Sequence, residues 1–191
     1  MPLEDALAQA CGAGVKAVQI REKDLKPEAL LALTFKVQSA LESLGTKVFI
    51  QARPDIAVIA GLTGVHLPAV KLERIEQVRD KFQGPLMIGV STHSAEEAKR
   101  AEQLGADFVV FGPVFETPSK AVYGPPKGLG ALKAVASQCK LPVFAIGGIK
   151  PLTARSCLDA GAHGVAVISA ILAAKDIGGA VKEFQREMGQ L

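Results

Sequence analysis

Pro142-Val-Phe-Ala-Ile-Gly-Gly-Ile149 and, one helix later, His163-Gly-Val-Ala-Val-Ile-Ser-Ala-Ile171 decide how this chain folds. Each begins as an apolar run rich in β-branched residues, the pattern of a strand buried on both faces. Between them, residues 151–160 carry helix punctuation, with Pro151 in the first turn and Gly161 just past the end. The first run stops at Gly147-Gly148, where missing Cβ atoms let backbone N–H groups approach a ligand closely. The second stops at Ser169, expected to N-cap a short apolar turn over 170–173. Paired glycine amides beside a helix N-terminus favour an anion, because unpaired N–H groups and the helix dipole act together. In (β/α)8 barrels a phosphate commonly sits in this place, after strands 7 and 8 with a short extra helix. A plain tight turn at Gly147-Gly148 is the alternative.

Outward from these two strands, the same unit recurs upstream. Strands are expected over 15–21, 47–51, 63–67, 86–90 and 107–112, and helices over 3–12, 27–44, 54–60, 72–82, 94–104 and 130–138. A closing helix follows near 176–187. Gly14-Val15, Gly105-Ala106 and Gly161-Ala162 each end a helix before a strand. Unbroken alternation of this kind signals a parallel α/β fold. With about seven strands and eight helices, the expected fold is a (β/α)8 TIM barrel that opens on its first helix. The first strand is then either outside this chain or absent, and residues 1–191 are expected to form a single domain.

Composition narrows the function. The 191 residues are 49% hydrophobic, enough for a substantial core, and no apolar run approaches the ~18 residues of a membrane span. The first ten residues carry acids in a helical pattern, unlike a signal or transit peptide. Cys11, Cys139 and Cys157 are scattered and lack metal-ligand spacing, which suits reduced thiols in a cytoplasmic protein. A net charge of +3 with intermixed signs argues against nucleic acid and suits small phosphates as ligands. No Trp and one Tyr leave few platforms for stacking bases.

Gln19, Arg21 and Lys23 alternate at the end of the first strand, so they are expected on one face, with Val18 and Ile20 turned toward helices. Either a polar ligand meets that face, or the strand end is solvated with Arg21 paired to Glu22 or Asp24. Ser91-Thr92-His93 is expected to follow a strand and precede a helix at Ser94, where the hydroxyls either bind a ligand or cap. His93 and His66 are read either as acid/base candidates or as surface residues, and His163 falls at the opposite end of its strand. Glu116-Thr117-Pro118-Ser119-Lys120 lies in the one long loop, 113–128, expected as a mobile cover or a disordered connector.

Taken together, six segments resemble thiamine phosphate synthase and its relatives the thiazole tautomerases (the TenI branch). They are Gln19-Ile-Arg-Glu-Lys-Asp24, Gly64-Val-His-Leu67, Ile88-Gly-Val-Ser-Thr-His93, Phe111-Gly-Pro-Val-Phe-Glu-Thr-Pro-Ser-Lys120, Ala145-Ile-Gly-Gly-Ile149 and Gly164-Val-Ala-Val-Ile-Ser-Ala-Ile171. They occur in the family's order over nearly the whole chain. The resemblance implies a (β/α)8 barrel that joins hydroxymethylpyrimidine diphosphate to thiazole phosphate with loss of pyrophosphate. It implies that Gln19, Ile20, Arg21, Glu22, Lys23 and Lys120 hold the pyrimidine diphosphate, with Ser91 beside it and Gln51 at a pyrimidine-contacting position. Arg21, Lys23, Ser91 and Lys120 are the catalytic candidates. Thr117, Pro118, Ser119, Gly147, Gly148, Ile168 and Ser169 are implied to hold the thiazole phosphate, in line with the anion site above. A first strand before Met1 is also implied.

The chain departs from that pattern twice. Where the synthases carry Asn-Asp it has Gln51-Ala52, and their second carboxylate, in His-Leu-Gly-Gln-Glu-Asp, falls on Lys71. Hard cations need such oxygens, so no metal site is expected, and Mg²⁺ enters only if the chain is a working synthase. His66-Leu67-Pro68 is closer to the tautomerases, yet their acid/base His, one residue after Phe-Gly, is Pro113 here. The expectation is therefore a TenI-like barrel that binds thiazole phosphate. An active synthase and a non-catalytic binder are the alternatives, and a homo-oligomer is left open.

Overall fold

The computed structural model describes residues 1–82, 84–117 and 125–190. Seven strands form one parallel sheet in sequence order: β1 (Ala17–Ile20), β2 (Lys47–Gln51), β3 (Gly64–Leu67), β4 (Met87–Thr92), β5 (Phe108–Phe111), β6 (Val143–Ile146) and β7 (Gly164–Ala166). Parallel neighbours need crossovers, and helices supply them. The helices are α1 (Leu3–Gly12), α2 (Pro27–Leu41), α3 (Pro54–Ile59), α4 (Arg74–Lys81), α5 (Ala95–Gln103), α6 (Gly128–Gln138), α7 (Pro151–Asp159), α8 (Ser169–Leu172) and α9 (Ile177–Glu187). Proline at the first position opens α2, α3 and α7, where its missing N–H has no partner to lose. Ser94 and Asp176 cap α5 and α9 by accepting from the amides of Glu97 and Gly179.

Strand alternation gives the sheet two faces. Val48, Ile50, Val65, Leu67, Ile88, Val90, Val109 and Phe111 pack outward against the helices in the main core. The other face carries Phe49, Phe108 and Phe144. The ring centroids of Phe49 and Phe108 lie 5.2 Å apart, edge to face, although β2 and β5 are three strands apart, about 14 Å along a flat sheet. The sheet is therefore curled, with these rings filling its concave side; Phe108 meets Phe144 in the same way at 5.6 Å. Glycines make room for the rings. A Cβ on Gly89 would run into the Phe108 ring, and one on Gly164 would press on Phe144.

The curl does not close. Among the described residues β1 and β7 each have one hydrogen-bonded neighbour, so the expected eight-strand barrel is realised as seven strands of an open one. Packing outside the sheet bridges the two edges. Ala6 and Ala10 of α1 form a small apolar cluster with Ile177 and Val181 of α9. At the end of the sheet where strands enter, the Arg79 guanidinium donates to the carbonyls of Leu86 and Gly105 and to Asp107, whose carboxylate also accepts from the Ile88 amide at 2.6 Å. Among the described residues no helix is long and apolar enough to cross a membrane.

Several boundaries differ from expectation. The expected strand over 15–21 ends at Ile20, where pairing with Ile50 stops, so the alternation that was to align Lys23 with Gln19 does not extend that far. β4 runs on to Thr92, placing Ser91 within the strand instead of after it. Ser169 is the first residue of α8 and Ile168 occupies the cap position. The helix expected over 27–44 ends at Leu41 and tightens into a 3-10 turn, Glu42–Leu44, and that expected over 72–82 starts later, at Arg74, behind the 3-10 turn Ala69–Lys71.

Candidate active site

The ends of the strands converge where β1, β2 and β3 stop. There, on the concave side, the Gln19 amide nitrogen donates to Gln51 Oε1 at 2.7 Å, and His66 Nδ1 faces the same oxygen at 3.4 Å. The register Gln51↔His66 places these two opposite one another. His66 is 3% exposed, its ring lies 6.3 Å from that of Phe108, and its Nε2 is buried without a partner. Burial, and next the positive charge of Arg21, hold this imidazole down at about 4, well below the usual histidine range. It is therefore neutral at pH 7, and Arg21 is near enough for its field to be felt. The sequence leaves His66, at a strand end, open as an acid/base candidate or a surface residue, and the structure buries it. Its burial was legible only in the strand period, which turns residue 66 inward with Gly64.

Arg21, Glu22 and Lys23 follow β1 in an exposed turn, and Ile20, in contrast, is buried against the helices. Lys71, at the end of the 3-10 turn after β3, is also exposed. Ala52, after β2, is the one described non-glycine residue in the left-handed region, with φ 54°, and its amide donates to the His66 carbonyl at 2.9 Å.

Ser91 is half-buried on β4, with its neighbour Thr92 fully buried. His93 is tied down on both sides. Its amide donates to Glu97 Oε2 at 2.6 Å, and its Nδ1 lies 2.6 Å from the Gly112 carbonyl, which can only accept. Nδ1 thus carries the proton, and the ring staples the β4–α5 turn to the start of the long loop.

That loop docks on β6. Val114 and Phe115 donate to the carbonyls of Ile146 and Gly147 at 2.9 and 3.0 Å. Gly147 and Gly148 both have positive φ, 102° and 65°, and the space a Cβ would take is filled by Pro113 at Gly147 and by Phe115 and the Glu116 carbonyl at Gly148. The glycine pair is thus required by close approach of the chain itself. The amides of Gly148 and Ser169 donate to no backbone acceptor among the described residues, and Ile168 and Ser169 are exposed. Thr117 is half-buried at the edge of the described loop; Pro118, Ser119 and Lys120, like most of the expected cover, lie outside the described residues.

The structure thus brings Gln19, Gln51 and His66 into one hydrogen-bonded chain within reach of the Arg21 charge. It does not join Ser91, Ser169 or Gly148 to that chain by any described contact. Cysteine chemistry has no place here. Cys11, Cys139 and Cys157 are free and buried, and burial pushes all three thiols up, Cys157 to about 11. Among the described residues no three His, Cys, Asp or Glu side chains gather to hold a metal ion.

The model of one protein family, described as thiamine monophosphate synthase, matches residues 1–171. A Geobacter sulfurreducens protein provisionally named a thiamine-phosphate synthase is 44% identical over 175 residues, covering 90% of this chain and 82% of that one. The thiamine-phosphate synthase of Methanoregula boonei is 36% identical over 179 residues, covering 94% and 82%. The solved structure of thiamine phosphate pyrophosphorylase from Pyrococcus furiosus superposes with a TM-score of 0.90 at 31% identity, covering 99% of this chain and 90% of that one.

Proposed function

The chain belongs to the thiamine monophosphate synthase family, and from that premise we propose that it joins hydroxymethylpyrimidine diphosphate to thiazole phosphate. The observation that carries this reading is the Gln19–Gln51–His66 chain, within reach of the Arg21 charge, at the strand-end side of the concave face lined by Phe49, Phe108 and Phe144. Gln19 is exposed and Gln51 half-buried, so both can meet a ligand, and the buried His66 behind them holds its Nε2 without a partner, at a desolvation cost. The reaction breaks the C–O bond between the pyrimidine methylene and the diphosphate, whose oxygen keeps the electron pair, while the methylene bonds to the thiazole. Arg21 and Lys23 would meet the diphosphate, with Ser91 beside it and Lys120 joining from the loop. The thiazole phosphate would lie on the amides of Gly148 and Ser169.

Magnesium, which the resemblance implies for the synthases, does not fit the residues present. Ala52 has no oxygen to offer, Lys71 repels a cation, and no acidic cluster stands nearby among the described residues. Charge on the leaving diphosphate is then met by side chains, with Lys71 added to Arg21 and Lys23.

The expectation of a TenI-like barrel that binds thiazole phosphate gives way here to the synthase reading, which the named relatives support better. Pro113 also stands where the tautomerases place their acid/base His. A non-catalytic phosphate binder is the second reading, favoured by the missing oxygen ligands. The test supplies both substrates and measures thiamine phosphate and pyrophosphate, with and without EDTA. Slow, chelator-insensitive product formation is expected. Aromatisation of the thiazole carboxylate phosphate alone would instead mark a tautomerase, and tight binding without turnover a binder.

A further inference from the structure

We propose that His66 is a positioning residue, whose Nδ1–H locks the Gln51 amide so that Gln51 offers a donor and Gln19 an acceptor to one edge of a bound heterocycle. The argument starts from Gln51 Oε1. It takes the Gln19 amide N–H at 2.7 Å, and His66 Nδ1 faces it at 3.4 Å. A carbonyl oxygen only accepts, so the facing imidazole nitrogen carries a hydrogen. The ring is neutral, because burial and Arg21 disfavour its charged form. A neutral imidazole has one N–H, which leaves Nε2 as the bare, buried and unpartnered nitrogen.

Both lone-pair directions of the Gln51 oxygen are then occupied. Flipping the amide would set its NH2 against two donors unless Gln19 flipped as well and the His66 proton moved to Nε2, which has no partner among the described residues. What remains without a partner among the described residues is the Gln51 NH2, which donates, and Gln19 Oε1, which accepts. A heterocycle whose edge carries an amino group next to a ring nitrogen offers the complementary pair. This inference rests on the synthase reading for the identity of that heterocycle, an aminopyrimidine, but the locking itself does not.

The experiment compares the wild-type chain with His66→Asn, whose amide NH2 can take the place of Nδ1–H, and His66→Leu, which fills the space without a donor. Calorimetry reads hydroxymethylpyrimidine diphosphate and, as a control for the intact fold, thiazole phosphate. His66→Leu is expected to weaken the pyrimidine ligand about tenfold or more, and His66→Asn by no more than about threefold, with thiazole phosphate unchanged in both. Equal losses in the two variants would overturn the proposal, because a space-filling role cannot tell them apart. Long-range ¹H–¹⁵N spectra of the wild type are expected to show the Nδ1–H tautomer, and His66→Leu should shift the side-chain amide signals of Gln19 and Gln51. An Nε2–H tautomer overturns the locking outright. Failure of the wild type to bind the pyrimidine, with the Nδ1–H tautomer and the amide shifts in place, sinks the synthase reading and sustains the locking.

Discussion

Ala52 holds a conformation that suits it poorly. The left-handed region costs a residue with a Cβ about 1–2 kcal/mol, whereas glycine enters freely and Asn or Asp enter more readily than most. Its amide bond to the His66 carbonyl keeps it there. Ala52→Gly is expected to stabilise the chain by about 0.5–1 kcal/mol after its own entropy cost, read as a higher urea midpoint. The strain also marks the place where the family pattern has an acid. Ala52→Asp together with Lys71→Asp should introduce Mg²⁺-dependent binding of the pyrimidine diphosphate, while the unmodified chain stays insensitive to EDTA; calorimetry with and without Mg²⁺ decides. His66 gives a second expectation. Its value of about 4 when folded lies below its ordinary 6.5, so the unfolded chain binds more protons between those pH values. Stability is then complete above pH 6.5 and falls as pH drops toward 4, by about 3 kcal/mol at most. Denaturant titrations at several pH values should show this slope in the wild type and lose it in His66→Asn.

At the scale of elements, the Gly147-Gly148 turn and the root of the β5–α6 loop form one unit. Gly148→Ala would meet Phe115 and the Glu116 carbonyl, which are loop backbone and its anchor and not a flexible tip. A loss of about 1–3 kcal/mol is expected, together with weaker thiazole phosphate binding, whereas Ser169→Asp, exposed on α8, should weaken that binding without the stability loss. Thermal melts beside calorimetry separate the two. The strand-helix order was legible in the sequence because apolar runs and glycine or proline stops recur with little ambiguity. Ends were less so: β4 reaches Thr92 because β5 pairs with it through Phe111, a long-range partner that no local pattern reveals. For the same reason Gln19 and Gln51, 32 residues apart, could be named as candidates but not seen as hydrogen-bonded to each other. His93 looked like a loop histidine because its partner, the Gly112 carbonyl, comes from another βα unit.

For the molecule as a whole, the open seam sets a gradient. β3, β4 and β5 are paired on both sides, whereas β1 and β7 each leave one edge unpaired, and their residues are less buried. Hydrogen exchange followed by mass spectrometry should find β1 and β7 amides exchanging well before those of β3 to β5. Uniform protection across all seven strands would mean that something covers the seam in solution. The strand order has a further consequence, for the way the chain emerges from the ribosome. Each strand pairs only with those immediately before and after it in sequence, so a growing chain can lay down the sheet one unit at a time without waiting for distant partners. One described apolar cluster breaks that rule. Ala6 and Ala10 share their cluster with Ile177 and Val181 of α9, so that face of α1 waits for α9 to be made, whereas Leu7 and Cys11 on its other side pack into the main core.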